Sequence, residues 1–196
     1  MQEHVTFVSD GLELAGILHT PDAMAAGEQR PCFIVLHGFG VNKDGTTPKR
    51  TAEILEELGY IVFRFDARGC GESGGEPAFI LCQDQVRDTH SAVTFLETVD
   101  QVDTARIGVI GHSFGGAVAP YATATDPRIG VCISVAGWGD GVAKFREQHP
   151  APDQWQAFLA KLEEGRRHRQ ATGEAMMIPR FDIVPIPPHM RHLLVS

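Results

Sequence analysis

The stretch that decides the fold is Arg106-Ile107-Gly108-Val109-Ile110, followed by Gly111-His112-Ser113-Phe114-Gly115-Gly116 and then Ala117-Val118. The first five residues have the length and apolar character of a buried strand. Ala117, Val118, Tyr121 and Ala122 mark the helix that follows. Between them stands Gly-x-Ser-x-Gly, the pattern of a nucleophilic serine held on a sharp strand-to-helix turn. The flanking glycines keep side chains away from such a turn. The helix N-terminus behind it adds a positive dipole where negative charge would develop. A serine that merely caps a helix needs neither the strand nor both glycines. Ser113 therefore reads as a nucleophile.

Working outward, the same rhythm repeats. Cys32 to Leu36 is a continuous apolar run, as expected of a strand buried on both faces. Thr51 to Leu58 reads as a helix stopped by Gly59, and Tyr60 to Phe65 as a second buried strand. Asp84 to Thr98 has Val86, Thr89, Val93 and Leu96 on one helical face, and Ile129 to Val135 reads as a further parallel strand. Ahead of all these, Val5 to Val8 and Leu12 to His19 flank Asp10-Gly11, a hairpin signature. Strands alternating with helices imply an α/β fold, a mostly parallel doubly wound sheet, opened here by an antiparallel hairpin.

The strand at 32–36 ends in His37-Gly38-Phe39-Gly40. An oxyanion hole needs two backbone N–H donors aimed at one point. Phe114, next after Ser113, supplies one, and the expected second donor is the N–H of Phe39. His37, on a strand earlier than the nucleophile's, reads as structural rather than as the base.

Composition excludes several classes. The chain has 196 residues, 43% hydrophobic and 21% charged, which suits one ordinary globular domain rather than a disordered chain. Its formal charge of −8 gives no footprint for nonspecific nucleic-acid binding. No apolar run reaches the roughly 20 residues needed to cross a bilayer. The N-terminus lacks a basic region followed by an apolar core, so the reading is cytoplasmic, with Cys32, Cys70, Cys82 and Cys132 reduced and with no membrane partner. Cys32 and Cys132 fall in apolar strand-like runs, where a thiol packs as a small hydrophobe.

Two patterns are decoys. Gly69-Cys70-Gly71-Glu72-Ser73-Gly74 matches Gly-x-Gly-x-x-Gly, but Pro77 follows it and the next helix starts near Asp84. A dinucleotide site needs the helix to open at that turn, so no nucleotide cofactor is expected. The loop's Asp66 and Arg68 instead read as bonded within it. His189 and His192 lack carboxylate or Cys companions, and no metal site is expected.

Taken together, the hairpin, His37-Gly38-Phe39-Gly40, Arg64-Phe65-Asp66-x-Arg68-Gly69-x-Gly71-x-Ser73 and Gly111-x-Ser113-x-Gly115-Gly116 resemble the α/β-hydrolase superfamily of serine esterases and serine peptidase-like enzymes. The resemblance covers roughly residues 1–137. It implies hydrolysis of ester or amide bonds in a small-molecule acyl substrate, through an acyl-serine intermediate. Residues 138–182 resemble a helical cap. Its Trp155, Phe158, Leu159 and Leu162 fall at i, i+3, i+4 and i+7, an amphipathic face expected to pack over the carboxyl edge of the sheet or onto a neighbouring helix, and Arg166 to Arg169 form a basic helix end. Trp138 and Trp155 are the expected substrate-binding residues. Residues 183–196, rich in proline at the start, read as a connector.

The resemblance also implies an Asp or Glu and then a His after Ser113, on later strands. No further strand run follows Val135, so the C-terminal strands are expected to be absent. Asp140 is the remaining candidate acid, and His149, His168, His189 and His192 are the remaining histidines. Two functions stay open. The chain is part of a serine hydrolase, or it is a non-catalytic domain that binds a ligand or partner. The oligomeric state is left open.

Overall fold

The computed structural model describes residues 1–186 and His189. The chain divides into two compact units, the first over Met1–Trp138 and the second from Gly139 onward.

The first unit holds six strands: β1 (Gln2–Ser9), β2 (Leu12–His19), β3 (Arg30–Leu36), β4 (Ile61–Phe65), β5 (Val102–His112) and β6 (Ile129–Val135). They form one sheet in the order β1-β2-β4-β3-β5-β6. The hairpin β1–β2 and the β2–β4 pair are antiparallel, and the other three pairs are parallel. Asp10 and Gly11 both take positive φ, at 49° and 80°, which lets a two-residue loop follow the twist of its flanking strands.

Three helices cross the sheet: α1 (Thr46–Glu57), α2 (Cys82–Leu96) and α3 (Phe114–Thr125). Strand residues alternate between two cores, as the two-residue period of a strand requires. Ile34, Leu36, Ile61, Phe63 and Phe65 join the larger core with Val86, Val93, Leu96 and Val118 of α2 and α3. Val35 and Val62 face the other way and pack with Ala52 and Leu55 of α1. Phe7, Phe63, Phe65 and Phe95 lie edge-on or stacked at centroid distances of 5.2–5.8 Å and anchor the hairpin to the larger core.

Several boundaries differ from the sequence reading. α1 begins at Thr46, not Thr51, because Pro48 falls in its first turn, where a missing N–H costs nothing. α2 spans Cys82–Leu96 rather than 84–98. β5 starts at Val102 and runs to His112, ahead of the expected Arg106 and past Ile110. A register shift opposite Arg30 and Cys32 absorbs its polar start.

The last strand departs most. Among the described residues β6 is an edge strand, and Val131, Ile133 and Val135 are 51%, 39% and 41% exposed. Cys132, expected inside an apolar strand, is exposed for the same reason.

The second unit contains α4 (Gly141–Gln148), α5 (Pro152–Thr172) and α6 (Arg180–Ile183). Asp140 caps α4 by accepting the Ala143 N–H at 3.0 Å. α5 has proline at its start and ends at Gly173, whose φ of 80° suits a helix stop. Phe158 is its buried anchor, stacked on Phe145, His149 and Trp155. Leu159 and Leu162, expected to be buried with Phe158, are 38% and 53% exposed. α4, eight residues long, meets α5 through Phe145 and its C-cap His149 on Phe158 and through Arg146 on Trp155. Most of the 183–196 connector, including His192, lies outside the described residues.

Candidate active site

The order of the strands places the site. From β3 the chain crosses α1 to β4 on one side, and it later returns to β5 on the other side of β3. The loops after β3 and β5 therefore leave in opposite directions and open a crevice beyond the strands' carboxyl ends. Open α/β sheets bind their ligands at such a point. Here it is lined by His37-Gly38-Phe39 from β3 and by Ser113 from β5.

Ser113 sits between β5 and α3 with φ 55° and ψ −113°, a strained conformation for a residue with a side chain. Its N–H donates to the Val135 carbonyl at 2.9 Å, and its carbonyl accepts the Ala117 N–H at 3.1 Å. The residue is exposed, and its hydroxyl makes no hydrogen bond with the described residues.

The glycines of the motif are steric requirements. A Cβ on Gly111 would lie 2.0 Å from the Gly115 carbonyl oxygen. A Cβ on Gly115 would lie 2.6 Å from the carbonyl oxygens of both Leu36 and His37. The first turn of α3 thus rests directly on the end of β3. Gly38 lies against the serine, its missing Cβ position being 3.4 Å from Ser113 Cβ. Phe39 follows it in the same loop, and Phe114 opens α3. The Trp138 ring, just after β6, stands 5.9 Å from that of Phe114. Trp155 lies in the second unit, stacked on Phe158 at 5.8 Å, with the Arg146 guanidinium 5.5 Å over its ring.

The histidines of the first unit near this edge have other partners. His37 is buried, and its Nε2 accepts the Ala67 N–H at 3.2 Å. That fixes the proton on Nδ1, which donates to the Gly38 carbonyl at 2.9 Å. Burial lowers its pKa, outweighing the Gly38 hydrogen bond, and keeps the ring neutral. His112 turns away from Ser113 toward α1, with Nε2 3.4 Å from Thr51 Oγ1, and burial lowers its pKa as well. In the second unit the Asp140 carboxylate caps α4, and His149 Nδ1 lies 2.8 Å from the Phe145 carbonyl. His189 is exposed.

The loop that imitates a nucleotide motif wraps a carboxylate instead. Asp66 accepts the Glu72 N–H at 2.9 Å, and its backbone carbonyl accepts the Ser73 hydroxyl at 2.5 Å. Arg68 bonds Asp88 through Nε and Nη2, at 3.0 and 2.6 Å, and reaches Asp10 in the hairpin turn at 2.9 Å. No group of three metal-binding side chains occurs among the described residues.

Sequence reasoning missed Lys43, a residue of the loop after β3 that is buried and paired with Asp66. A lysine in a polar loop carries no local sign of burial. Its partner lies 23 positions away.

A model described as the alpha/beta hydrolase family matches residues 33–192. The chain belongs to that family. Among curated relatives, it is 32% identical over 183 residues to a thiohydrolase, aneE, of Aspergillus aculeatus, covering 91% of this chain and 55% of that protein. It is also 32% identical over 171 residues to a polyketide transferase, grgF, of a Penicillium species, covering 87% of this chain and 54% of that protein. The crystal structure of GrgF superposes with a TM-score of 0.75 at 27% identity, over 98% of this chain and 67% of that one. A ferulic acid-bound Est1E from Butyrivibrio proteoclasticus matches at TM-score 0.64 and 25% identity, over 73% of this chain and 55% of that one. The chain spans about half the length of the curated relatives it matches. No helix among the described residues is long and apolar enough to cross a membrane.

Proposed function

We propose that this chain carries the nucleophile and oxyanion hole of a serine acyl-transfer enzyme that acts on ester or thioester bonds. The carrying observation is the strained turn at Ser113, exposed at the switch point of the sheet and flanked by the loop after β3. Ser113 Oγ attacks the acyl carbonyl once a base removes its proton, because a free hydroxyl is a weak nucleophile near neutral pH. The carbonyl oxygen becomes an oxyanion held by the N–H groups of Phe39 and Phe114, backed by the α3 dipole. Collapse expels the alcohol or thiol and leaves an acyl-serine. Water, or a second nucleophile, then releases the acyl group. The nearness of the Trp138 ring to Phe114 supports Trp138 as the residue that contacts the acyl chain, and Trp155 is the second aromatic candidate. The thiohydrolase and polyketide transferase names of relatives support a thioester among the substrates.

The base is sought outside the first unit, since His37 and His112 are engaged elsewhere. The 196-residue chain alone is expected to turn over p-nitrophenyl butyrate poorly, with at most slight acceleration from the oxyanion hole. Extension with a later acid and histidine is expected to restore turnover. A fluorophosphonate probe on the extended and 196-residue forms, each beside Ser113→Ala, is the test. Ser113-dependent labelling of the extended form supports the reading. A folded extended form that never labels points to binding without catalysis.

A further inference from the structure

Resting on that acyl-transfer reading, we infer that Lys43 and Asp66 are positioning residues. They form a buried clamp that sets the path of the loop carrying the Phe39 oxyanion donor.

Lys43 is 1% exposed and Asp66 is 0% exposed. The carboxylate takes two bonds from the one lysine: the backbone N–H at 2.6 Å on Oδ1 and Nζ at 3.0 Å on Oδ2. Nζ also pairs with Glu72 and with Asp44. From the other side, Arg64 Nη1 donates to the Lys43 carbonyl at 2.5 Å and to Asp44 Oδ1 at 2.8 Å. The loop after β3 is therefore held on β4 by side chain and backbone together. Upstream, the His37 ring fastens it to Ala67 at 3.2 Å, and Gly38 abuts Ser113. Phe39 lies in the span between these two anchorages.

The arrangement is built tightly around Asp66. Gly71 has a φ of 50°, and a Cβ there would fall 2.1 Å from Asp66 Oδ2. That glycine lets the next residue, Glu72, present its N–H to the carboxylate. The Gly-rich loop after β4 thus encloses Asp66, and Asp66 holds the loop after β3.

Stability alone does not account for this pair. A buried ion pair contributes little beyond well-packed apolar residues of similar volume, though losing one partner is costly. What it adds here is a fixed path for a backbone segment. An oxyanion donor needs such a path, because a displacement of about 1 Å costs roughly 100-fold in rate.

The test compares Lys43→Met, Lys43→Arg and Glu72→Gln in the extended form. It reads kcat and KM on p-nitrophenyl butyrate together with amide exchange across residues 38–45. Lys43→Met is expected to lower kcat by about 10- to 100-fold with little change in KM. Exchange should rise in that loop while β5 and α3 stay protected, and Lys43→Arg should recover part of kcat. Glu72→Gln keeps both clamp residues and is expected to show a smaller change of the same kind, so it carries the test if Lys43→Met does not fold. A rise in KM at constant kcat, exchange rising evenly through the first unit, or wild-type behaviour of every folded variant overturns the inference. A folded wild-type extended form without Ser113-dependent turnover refutes the acyl-transfer reading instead. The exchange measurement then decides the clamp on its own.

Discussion

Replacing Gly115 with Ala tests the contact on which the candidate site rests. The added Cβ would stand 2.6 Å from two backbone oxygens, those of Leu36 and His37. Neither can swing aside like a side chain, since Leu36 closes β3 and His37 is tied to Ala67. Ordinary contact begins near 3.4 Å, so α3 and the end of β3 must separate by 0.8 Å along that direction. Overpacking of this kind costs about 1–3 kcal/mol. In a chain of this size that is a fall in Tm of roughly 2–12 °C. The same displacement moves Ser113 away from the Phe39 loop, and a shift near 1 Å costs about 100-fold in rate. The assays are a thermal melt and the rate of fluorophosphonate labelling, with Gly139→Ala as control, because a Cβ there meets nothing within 4 Å. A Gly115→Ala protein that melts and labels like the control would refute the argument that close approach of α3 to β3 builds the site.

Two further expectations follow from the core and from the buried histidines. Phe63→Ala removes a fully buried ring that packs on Phe7, Phe65 and Phe95, and should lower the stability of the first unit by about 3–5 kcal/mol; a urea midpoint within error of wild type would contradict it. Burial lowers the pKa of His19, which accepts the Arg64 Nε–H at 2.9 Å, and that of His37. The unfolded chain therefore binds more protons than the native one below about pH 6.5, so stability should fall from pH 7 to pH 5.5 and stay level just above neutrality. The lowered carboxylates, Asp10, Asp44 and Asp126, lose their contribution only in stronger acid, which leaves this window to the histidines. Urea midpoints at the two pH values check it, and equal midpoints would count against neutral buried rings.

Much of the site was legible in one segment because its causes are local. Gly111, Ser113 and Gly115 lie within five residues, and the strand before them and the helix after them can be read from apolar pattern alone. The hairpin at Asp10-Gly11 and the helical character of 141–172 were legible for the same reason. The sequence also read Asp66 and Arg68 as bonded within their loop; Asp66 does take the Glu72 N–H there, whereas Arg68 bonds Asp88 of α2 and Asp10 of the hairpin instead.

The tertiary structure decided what depends on residues far apart in the chain. The strand order, which sets β3 beside β5 and so brings Gly38 against Ser113, comes from packing helices on both faces of the sheet. The burial of Lys43 comes from Asp66, Arg64 and Glu72, residues 21 to 29 positions away. An apolar pattern reports which residues would gain by leaving water, but not whether a neighbour is present to cover them. Val131, Ile133, Leu159 and Leu162 read as core in sequence and stand exposed in the structure for that reason.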